Sequence, residues 1–423
     1  MDMTSFFPDG VMLPPLLGDL FPPYALSRAD AALLLRVQGI LDADIAPHAA
    51  DHDRNGRYPV HAVSLLKQAG LLMLPVPRAY GGMGATQALS LEVMVRIAAA
   101  DPAVAQIYKV HDDLVREIFS YATPAFCHHL AQHIMSEHAI IGMAVAENGR
   151  TADSFLQTLA IGQSDGQWVL RGRKIYATGA AGADLIAISS FDPQAAQHQG
   201  DPRAGLRFDL VPRSAPGLRI LRDWDRMGQR ATDSGTVILD DVRVSAASNA
   251  LAPQSVLPVH TSLRHQAGFS AILVGIGIGA LRAGCAFVAH HSRPWGAAQV
   301  EHATDDPYVQ RMVGEMGADL SVAYCAVRQC GELLDLYERG GLSRAALAMP
   351  VSAARSVATR AALRATSDIL AATGARGTDA LHGFDRYWRD ARTLSLHDPV
   401  DWKNAEIGRH LLTGWTPEPG PYQ

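Results

Sequence analysis

The spacing of apolar residues changes twice along this chain, and that change most restricts its possible folds. Between residues 27 and 139 apolar residues recur every three or four positions, as in "ADAALLLRVQGILDADI", which is typical of helices. Between 140 and 252, "TLAIGQSDGQWVLRGRKIYATG" predicts a hairpin around an Asp-Gly turn. Long alanine-rich helical stretches return from 253 to 423. The sequence therefore predicts an α+β protein: an N-terminal helical domain, a central β-domain of about six to eight strands and a C-terminal helical bundle.

Composition limits the partners and the compartment. The 423 residues carry a net charge of −5, which gives no reason to expect nucleic acid. Four scattered cysteines do not make a disulfide framework, and the N-terminal residues show no secretory signal, so a cytoplasmic location is expected. The most apolar run, 267–281, is shorter than the roughly 20 residues of a membrane span, so we expect a buried helix and no membrane partner.

Two short motifs resemble binding sites, one for a dinucleotide and one for zinc, but we predict neither site. "GIGIGA" at 275–280 fits a dinucleotide-binding pattern, but that pattern needs a preceding strand, and this run lies within a helical stretch. We expect instead that Gly275 and Gly279 allow two helices to pack closely. His129 and His133 are four residues apart, but no wider zinc pattern surrounds them. No metal site is predicted.

Several longer segments, in the expected order, resemble the acyl-CoA dehydrogenase superfamily over roughly residues 30–415. They are "LLMLPVPRAYGGMGA", "GMAVAEN", "RGRKIYATGAAGADLIAIS" and "DRYWRDAR". The segments "DWDRMGQRATDSGTVILDDVRV" and "TGARGTDALHGFDRYWRDARTLSLHDPVDWKNAEIG" are similar to its branch of reduced-flavin-dependent monooxygenases that includes dibenzothiophene monooxygenase. The resemblance implies a central β-barrel, a C-terminal four-helix bundle and a homotetramer. It also implies FMN, delivered as FMNH2 by a separate reductase.

The catalytic residues follow from the same resemblance. Common acyl-CoA dehydrogenases carry a Tyr-Glu-Gly-Thr run where this chain has His397, Asp398, Pro399 and Val400. The monooxygenase branch carries Leu-His-Asp-Pro here, so we predict that His397 is catalytic and that Asp398 orients it. An imidazole titrates near neutrality and can supply the proton that a flavin C4a-hydroperoxide needs.

Further site residues are implied by their positions in matching motifs. His111 is expected to be a second catalytic histidine, and Thr178 a catalytic and cofactor-binding hydroxyl at flavin N5. The other cofactor-binding residues would be Tyr176, Arg293, Arg376 and Gly377. Arginine suits the flavin phosphate because its guanidinium donates two parallel hydrogen bonds, and Arg376 is expected to come from a neighbouring subunit.

The substrate is less constrained than the cofactor. Dibenzothiophene enzymes carry polar residues where this chain has Met143 and Ala146, so a more apolar pocket, with Met143 and Trp224 in its wall, is expected. The predicted reaction uses O2 to oxidise a small apolar substrate, first of all at sulfur, as in organosulfur metabolism and desulfurization. Three alternatives are an amine N-hydroxylase, an acyl-CoA dehydrogenase with Asp398 as its base, and a non-catalytic flavin- or acyl-binding relative.

Overall fold

The computed structural model describes residues 27–149, 156–251 and 258–420. The N-terminal segment examined for a secretory signal and the predicted domain junction at 252/253 lie outside these residues. The boundaries at 139/140 and 252/253 stay predictions, but the succession of helices, strands and helices is confirmed.

The N-terminal part is helical, and capping side chains help to fix where its helices begin. Its described α-helices are α1 (Arg28–Ile40), α2 (Ala49–Asn55), α3 (Val60–Gln68), α4 (Gln87–Ala100), α5 (Pro102–Tyr121) and α6 (Pro124–Ser136). The side chains of Thr86, Asp101 and Thr123 accept backbone N–H groups at the starts of α4, α5 and α6, which satisfies donors that a helix leaves unpaired.

The described strands form one curved sheet of half-barrel type. They are β1 (Ile141–Ala144), β2 (Leu159–Gly162), β3 (Trp168–Lys174), β4 (Leu185–Phe191), β5 (Leu206–Pro212), β6 (Leu218–Ile220) and β7 (Val237–Val244). Their order is β1-β4-β2-β3-β7-β6, and β5 also pairs with β4. A short helix, α7 (Pro193–Gln199), lies between β4 and β5. The predicted hairpin is confirmed, because β2 and β3 are antiparallel with Gly162 opposite Trp168.

The C-terminal part consists of long helices followed by two shorter ones. They are α8 (Thr261–His291), α9 (Pro307–Glu338), α10 (Arg344–Thr373), α11 (Asp385–Ser395) and α12 (Val400–Thr413). The main hydrophobic cluster runs through α1, α4, α8, α9 and α10. One core therefore continues from the N-terminal helices into the bundle.

Helix α8 lies at the centre of this core. By length and composition it could cross a membrane, but its most apolar window is 78% buried inside the protein, as expected of a core helix. A side chain at Gly275 would meet the backbone oxygen of Val95 at 2.5 Å, and one at Gly279 would meet that of Ala99 at 2.4 Å. The prediction that these glycines allow close helix packing is therefore confirmed.

Candidate active site

The segment after β3 carries Tyr176 and Thr178 and lies directly on β1. The Met143 N–H donates to the Thr178 carbonyl oxygen at 3.0 Å. A side chain at Gly142 would meet the backbone nitrogen of Ala180 at 2.7 Å, so only glycine allows this close approach. Tyr176 has a left-handed backbone with φ 53°. The structure therefore brings together two predicted cofactor residues and the predicted pocket residue Met143.

A buried chain of hydroxyl groups leads away from Thr178. Ser234 Oγ donates to Thr178 Oγ1 at 2.9 Å, and Ser234 Oγ lies 2.7 Å from Thr232 Oγ1. Thr232 Oγ1 lies 2.8 Å from the carbonyl oxygen of Gln229. That carbonyl also accepts from Trp224 Nε1 at 2.9 Å. The chain therefore links Thr178 to the predicted pocket residue Trp224.

Trp224 also contacts the predicted cofactor residue Tyr176. Their rings meet edge to face, with centroids 5.9 Å apart. The Arg226 guanidinium lies over both rings, 5.3 Å from the centroid of Trp224 and 5.8 Å from that of Tyr176. Half of the Tyr176 side chain is exposed. This group forms an aromatic wall beside the hydroxyl chain.

The loop 224–234 is fixed to α11 by its backbone. The Gln229 N–H donates to Asp390 Oδ1 at 2.5 Å, and a side chain at Gly228 would meet the carbonyl oxygen of Arg389 at 2.1 Å. Arg389 in turn donates to both carboxylate oxygens of Asp53, at 3.0 and 2.5 Å. Burial raises the pKa of Asp390 to about 7. The arginine-aspartate pair of "DRYWRDAR" therefore holds the loop in place.

His397 lies just beyond the end of α11. Its ring packs at a tilt of 41° against Phe269 of α8, with centroids 4.3 Å apart. Its Nδ1 lies 3.2 Å from Asp398 Oδ2, which also accepts from Gln266 Nε2 at 2.6 Å. The His397 side chain is 48% exposed, whereas Asp398 is buried. The imidazole, not the carboxylate, therefore faces the open side.

The electrostatics keep Asp398 ionised. Burial acts to raise its pKa, but the hydrogen bonds from His397 and Gln266 and the positive charge of Arg355 leave the pKa below its ordinary value. Arg355 is completely buried. Its Nε and Nη1 have no hydrogen-bond partner among the described residues, and burial lowers its pKa to about 10.

A second group of buried charges lies behind Phe269. Lys109 Nζ lies 3.9 Å from the centroid of the Phe269 ring and donates to Asp113 at 2.6 Å. Arg264 lies 3.3 Å from the same carboxylate. Burial lowers the pKa of the adjacent His265 to about 3, so this histidine is neutral there. The group fixes the aromatic ring against which His397 packs.

Arg293 and Arg376 lie at the opposite end of α8 from His397. Arg376 Nη1 donates to the carbonyl oxygen of His291, the last residue of α8, at 3.1 Å. Arg293 follows two residues later and is exposed. Gly377 is buried, and a side chain there would meet Thr373 Oγ1 at 2.1 Å. The rise of ~1.5 Å per helical residue puts His291 about 33 Å along α8 from Phe269.

Comparison with known proteins identifies the family. Three protein-family models match this chain. They are the N-terminal domain of acyl-CoA dehydrogenase over residues 27–138, its middle domain over 142–242 and its C-terminal domain over 267–402. The chain belongs to the acyl-CoA dehydrogenase family. Its central and C-terminal parts are therefore the middle and C-terminal domains of that family.

The relatives include several oxygenases. A dibenzothiophene monooxygenase from Rhodococcus erythropolis is 34% identical over 88% of this chain and 91% of its own length. The probable FMNH2-dependent monooxygenase SfnC from Pseudomonas putida is 27% identical over 90% of this chain and 95% of its own. FMN-bound TdsC from Paenibacillus sp. A11-2 has a TM-score of 0.84 at 30% identity, covering 93% of this chain and all of its own. The chain thus falls in the branch with dibenzothiophene monooxygenases.

The surroundings of His111 differ from those expected of a proton donor. Its side chain is completely buried, Nδ1 accepts from the Ile141 N–H at 3.1 Å, and Nε2 lies 3.0 Å from the Leu72 carbonyl oxygen. Burial lowers the pKa of His111 to about 4. This geometry favours a neutral histidine that links α5 to β1, so a catalytic role of His111 stays a prediction from the sequence.

Several site residues escape sequence reasoning. The segment "DWDRMGQRATDSGTVILDDVRV" contains Gln229, Thr232 and Ser234. Their amide and hydroxyl groups lie just before a strand and could have indicated a binding site. Arg355 lies in an alanine-rich helix, where no pattern marks it as a residue of the site.

Proposed function

We propose that this protein is a two-component, FMNH2-dependent monooxygenase that oxidises a small apolar substrate with O2. One observation carries the proposal: Asp398, which stands where dehydrogenases of this fold carry a catalytic glutamate, is buried, while the adjacent His397 imidazole is half-exposed. A base that removes a substrate proton must reach that proton. Asp398 instead accepts hydrogen bonds from His397 and Gln266 on one carboxylate oxygen, which disfavours the dehydrogenase alternative.

The residues present fit a flavin beside Thr178. Gln229 is buried, and both its side-chain Oε1 and Nε2 lack a hydrogen-bond partner among the described residues. A buried amide left unpaired is costly, so these two atoms suit a ligand that offers both a donor and an acceptor. Thr178 presents a further hydroxyl, and Tyr176 and Trp224 provide the aromatic wall. Reduced FMN, when bound, supplies the electrons with which O2 is activated.

His397 supplies and recovers the proton in this proposal. The Asp398 carboxylate accepts from Nδ1–H and so leaves Nε2 directed away from the pair. Such a carboxylate fixes both the orientation and the tautomer of an imidazole, as in other aspartate-histidine pairs. Phe269 holds the ring from one face, and Gln266 and Arg355 keep Asp398 in place and charged. The protein thus holds one oriented proton donor at the open side of the site.

The preferred substrate class is a small organosulfur compound oxidised at sulfur. The curated relatives named above include dibenzothiophene monooxygenases, and MsuC from Pseudomonas fluorescens, with TM-score 0.83 and 27% identity, is a methanesulfinate monooxygenase. Met143 packs with apolar residues of α5 and β1, which suits an apolar substrate. Amine N-hydroxylation stays the oxygenase alternative.

A homotetramer and a separate flavin reductase complete the proposal. Arg293 and Arg376 lie too far along α8 to serve the site of their own chain, so both would bind the flavin phosphate of a neighbouring subunit. The cytoplasmic location stays a prediction from the sequence.

Stopped-flow absorbance tests the reaction type. The protein is loaded anaerobically with FMNH2 and mixed with oxygenated buffer without substrate. We expect a transient absorbing species, distinct from reduced and oxidised flavin, that outlives any seen with free FMNH2. Immediate return of oxidised flavin, together with bleaching of bound flavin by an acyl-CoA under anaerobic conditions, would establish the dehydrogenase instead.

The same experiment tests the role of His397. His397→Asn should shorten the lifetime of the transient species and divert turnover to hydrogen peroxide, because the oriented proton donor is lost. Removing a general acid–base group typically costs about 10²–10⁴-fold in rate. His198→Asn, at an exposed position of α7, is the matched control and should behave as wild type. Equal lifetimes in His397→Asn and wild type would refute the assignment.

A further inference from the structure

We infer that Thr178, Ser234 and Thr232 form a reversible chain of hydroxyl groups that donates outward to oxidised flavin and inward when the flavin is reduced. This inference rests on the proposed FMN site and concerns residues that act through Thr178. Ser234 and Thr232 are positioning residues in it, and the Gln229 carbonyl is the inner end of the chain.

The chain is closed to water except at its outer end. Thr178 is 9% exposed, Ser234 4%, Thr232 1% and Gln229 4%. The three oxygen–oxygen contacts are 2.9, 2.7 and 2.8 Å long, each within hydrogen-bonding distance. The hydroxyl protons are thus exchanged only among these groups and a ligand at Thr178.

Counting protons gives the chain two ordered states. A hydroxyl carries one proton and can also accept, so three hydroxyls bring three protons. These protons serve four places: the Gln229 carbonyl, the two contacts between hydroxyls, and the outer side of Thr178. One end of the chain therefore always lacks a proton. Either Thr178 donates outward, or Thr232 donates to the Gln229 carbonyl.

The oxygen positions are compatible with both states, because each hydroxyl proton can rotate between its two neighbours. In the inward state Thr232 donates to the Gln229 carbonyl. In the outward state Ser234 donates to Thr178 and Thr232 donates to Ser234, so the Thr178 proton is available to a ligand. The Gln229 carbonyl is not left unpaired in this state, because Trp224 Nε1 donates to it. The reverse state needs only rotation of the three hydroxyl groups.

Flavin N5 requires this reversal. In oxidised flavin N5 is an acceptor, whereas in fully reduced flavin it carries a proton and donates. A lone threonine that accepts from N5–H leaves its own buried proton without an acceptor. In the chain, Thr178 instead donates its proton to Ser234, Ser234 donates to Thr232, and Thr232 donates to the Gln229 carbonyl. Connected hydroxyl groups also strengthen one another's hydrogen bonds. The reduced state therefore depends on the whole chain, whereas the oxidised state needs only Thr178.

Binding of FMN in its two redox states tests the chain without turnover. Dissociation constants for FMN and FMNH2 are measured by anaerobic equilibrium dialysis. Ser234→Ala should raise the dissociation constant of FMNH2 about tenfold more than that of FMN, as expected when one buried hydrogen bond is lost. Thr232→Val, which cuts the chain further from the flavin, should shift the ratio in the same direction.

Three further variants identify the cause. Ser234→Thr keeps the hydroxyl and should restore the wild-type ratio. The double variant Ser234→Ala/Thr232→Val should add little to Ser234→Ala, because the chain is already cut. Ser321→Ala removes a buried hydroxyl on α9 and should leave the ratio unchanged.

The outcomes separate this inference from the proposed function. Equal shifts of both constants in Ser234→Ala, or none, would overturn the reversible chain while leaving the FMN site intact. Failure of the wild-type protein to bind either form would overturn both, because the chain would then have no flavin to serve.

Discussion

The Asp398→Asn substitution would leave the buried Arg355 guanidinium without the carboxylate that faces it. Arg355 donates only a long hydrogen bond, of 3.4 Å, to the Leu394 carbonyl, and its Nε and Nη1 have no partner among the described residues. Removing one member of a buried charge pair typically costs about 3–5 kcal/mol. Asparagine retains one oxygen for Gln266, so we expect Asp398→Asn to lower the free energy of unfolding by about 3 kcal/mol.

The same substitution should cost less when the guanidinium is also removed. Two unit charges 4 Å apart interact by about 4 kcal/mol at an effective dielectric constant of ~20. The structure describes both side chains and shows no direct ion pair between them, so the coupling is smaller, at about 1–3 kcal/mol. Arg355→Met alone should change stability by at most about 1 kcal/mol, because it replaces a poorly paired buried charge with an apolar side chain.

Urea unfolding, followed by circular dichroism at one protein concentration, measures the free energy of unfolding of wild type, Asp398→Asn, Arg355→Met and the double variant. Arg360→Met, at an exposed position of α10, replaces Arg355→Met as the matched control and should leave the cost of Asp398→Asn unchanged. The reasoning fails if Asp398→Asn costs the same, within about 0.5 kcal/mol, in the wild-type and Arg355→Met backgrounds.

Two further predictions concern pH and have opposite signs. Burial depresses the pKa of His111 to about 4, so its contribution to stability is present above pH ~6.5 and lost as the pH falls toward 4. His111→Asn should be less stable than wild type at pH 7 by about 2 kcal/mol. Between pH ~6.5 and ~4 the variant should lose less stability than wild type. Burial raises the pKa of Asp390 to about 7, so its contribution is present below ~4 and lost as pH rises toward 7. Asp390→Asn should therefore gain stability relative to wild type as pH rises from 4 to 7. Urea titrations at each pH measure both, and a difference from wild type that does not vary with pH would contradict either assignment.

Local patterns in the sequence were sufficient for the elements of the fold. Helical spacing predicted the helices, alternation around an Asp-Gly turn predicted the hairpin, and the glycines of 275–280 predicted close packing of α8. Each of these signals lies within a short stretch of chain, where backbone preferences and one-sided burial act directly. Such signals say which surface is buried, but not which distant residues meet there.

The site depended on contacts that no local pattern records. Ser234 meets Thr178 across 56 positions of the chain, and Gln229 meets Asp390 across 161. Motif resemblance found Thr178, Trp224 and His397 but could not show that both ring nitrogens of His111 bind backbone groups. Nor could it show that Arg293 and Arg376 lie together, because their proximity depends on the length and path of α8.

The overall fold does not distinguish an oxygenase from a dehydrogenase here. A glutaryl-coenzyme A dehydrogenase shares the architecture with a TM-score of 0.78 at 19% identity, so the function must be argued from the site. The difference lies in which group reaches the open side at residues 397–398. A carboxylate there would abstract a proton from a substrate, whereas an imidazole braced by a buried carboxylate can give a proton and take it back. Phe269, Gln266 and Arg355 all act to keep that second arrangement, since they hold the ring, the carboxylate and its charge.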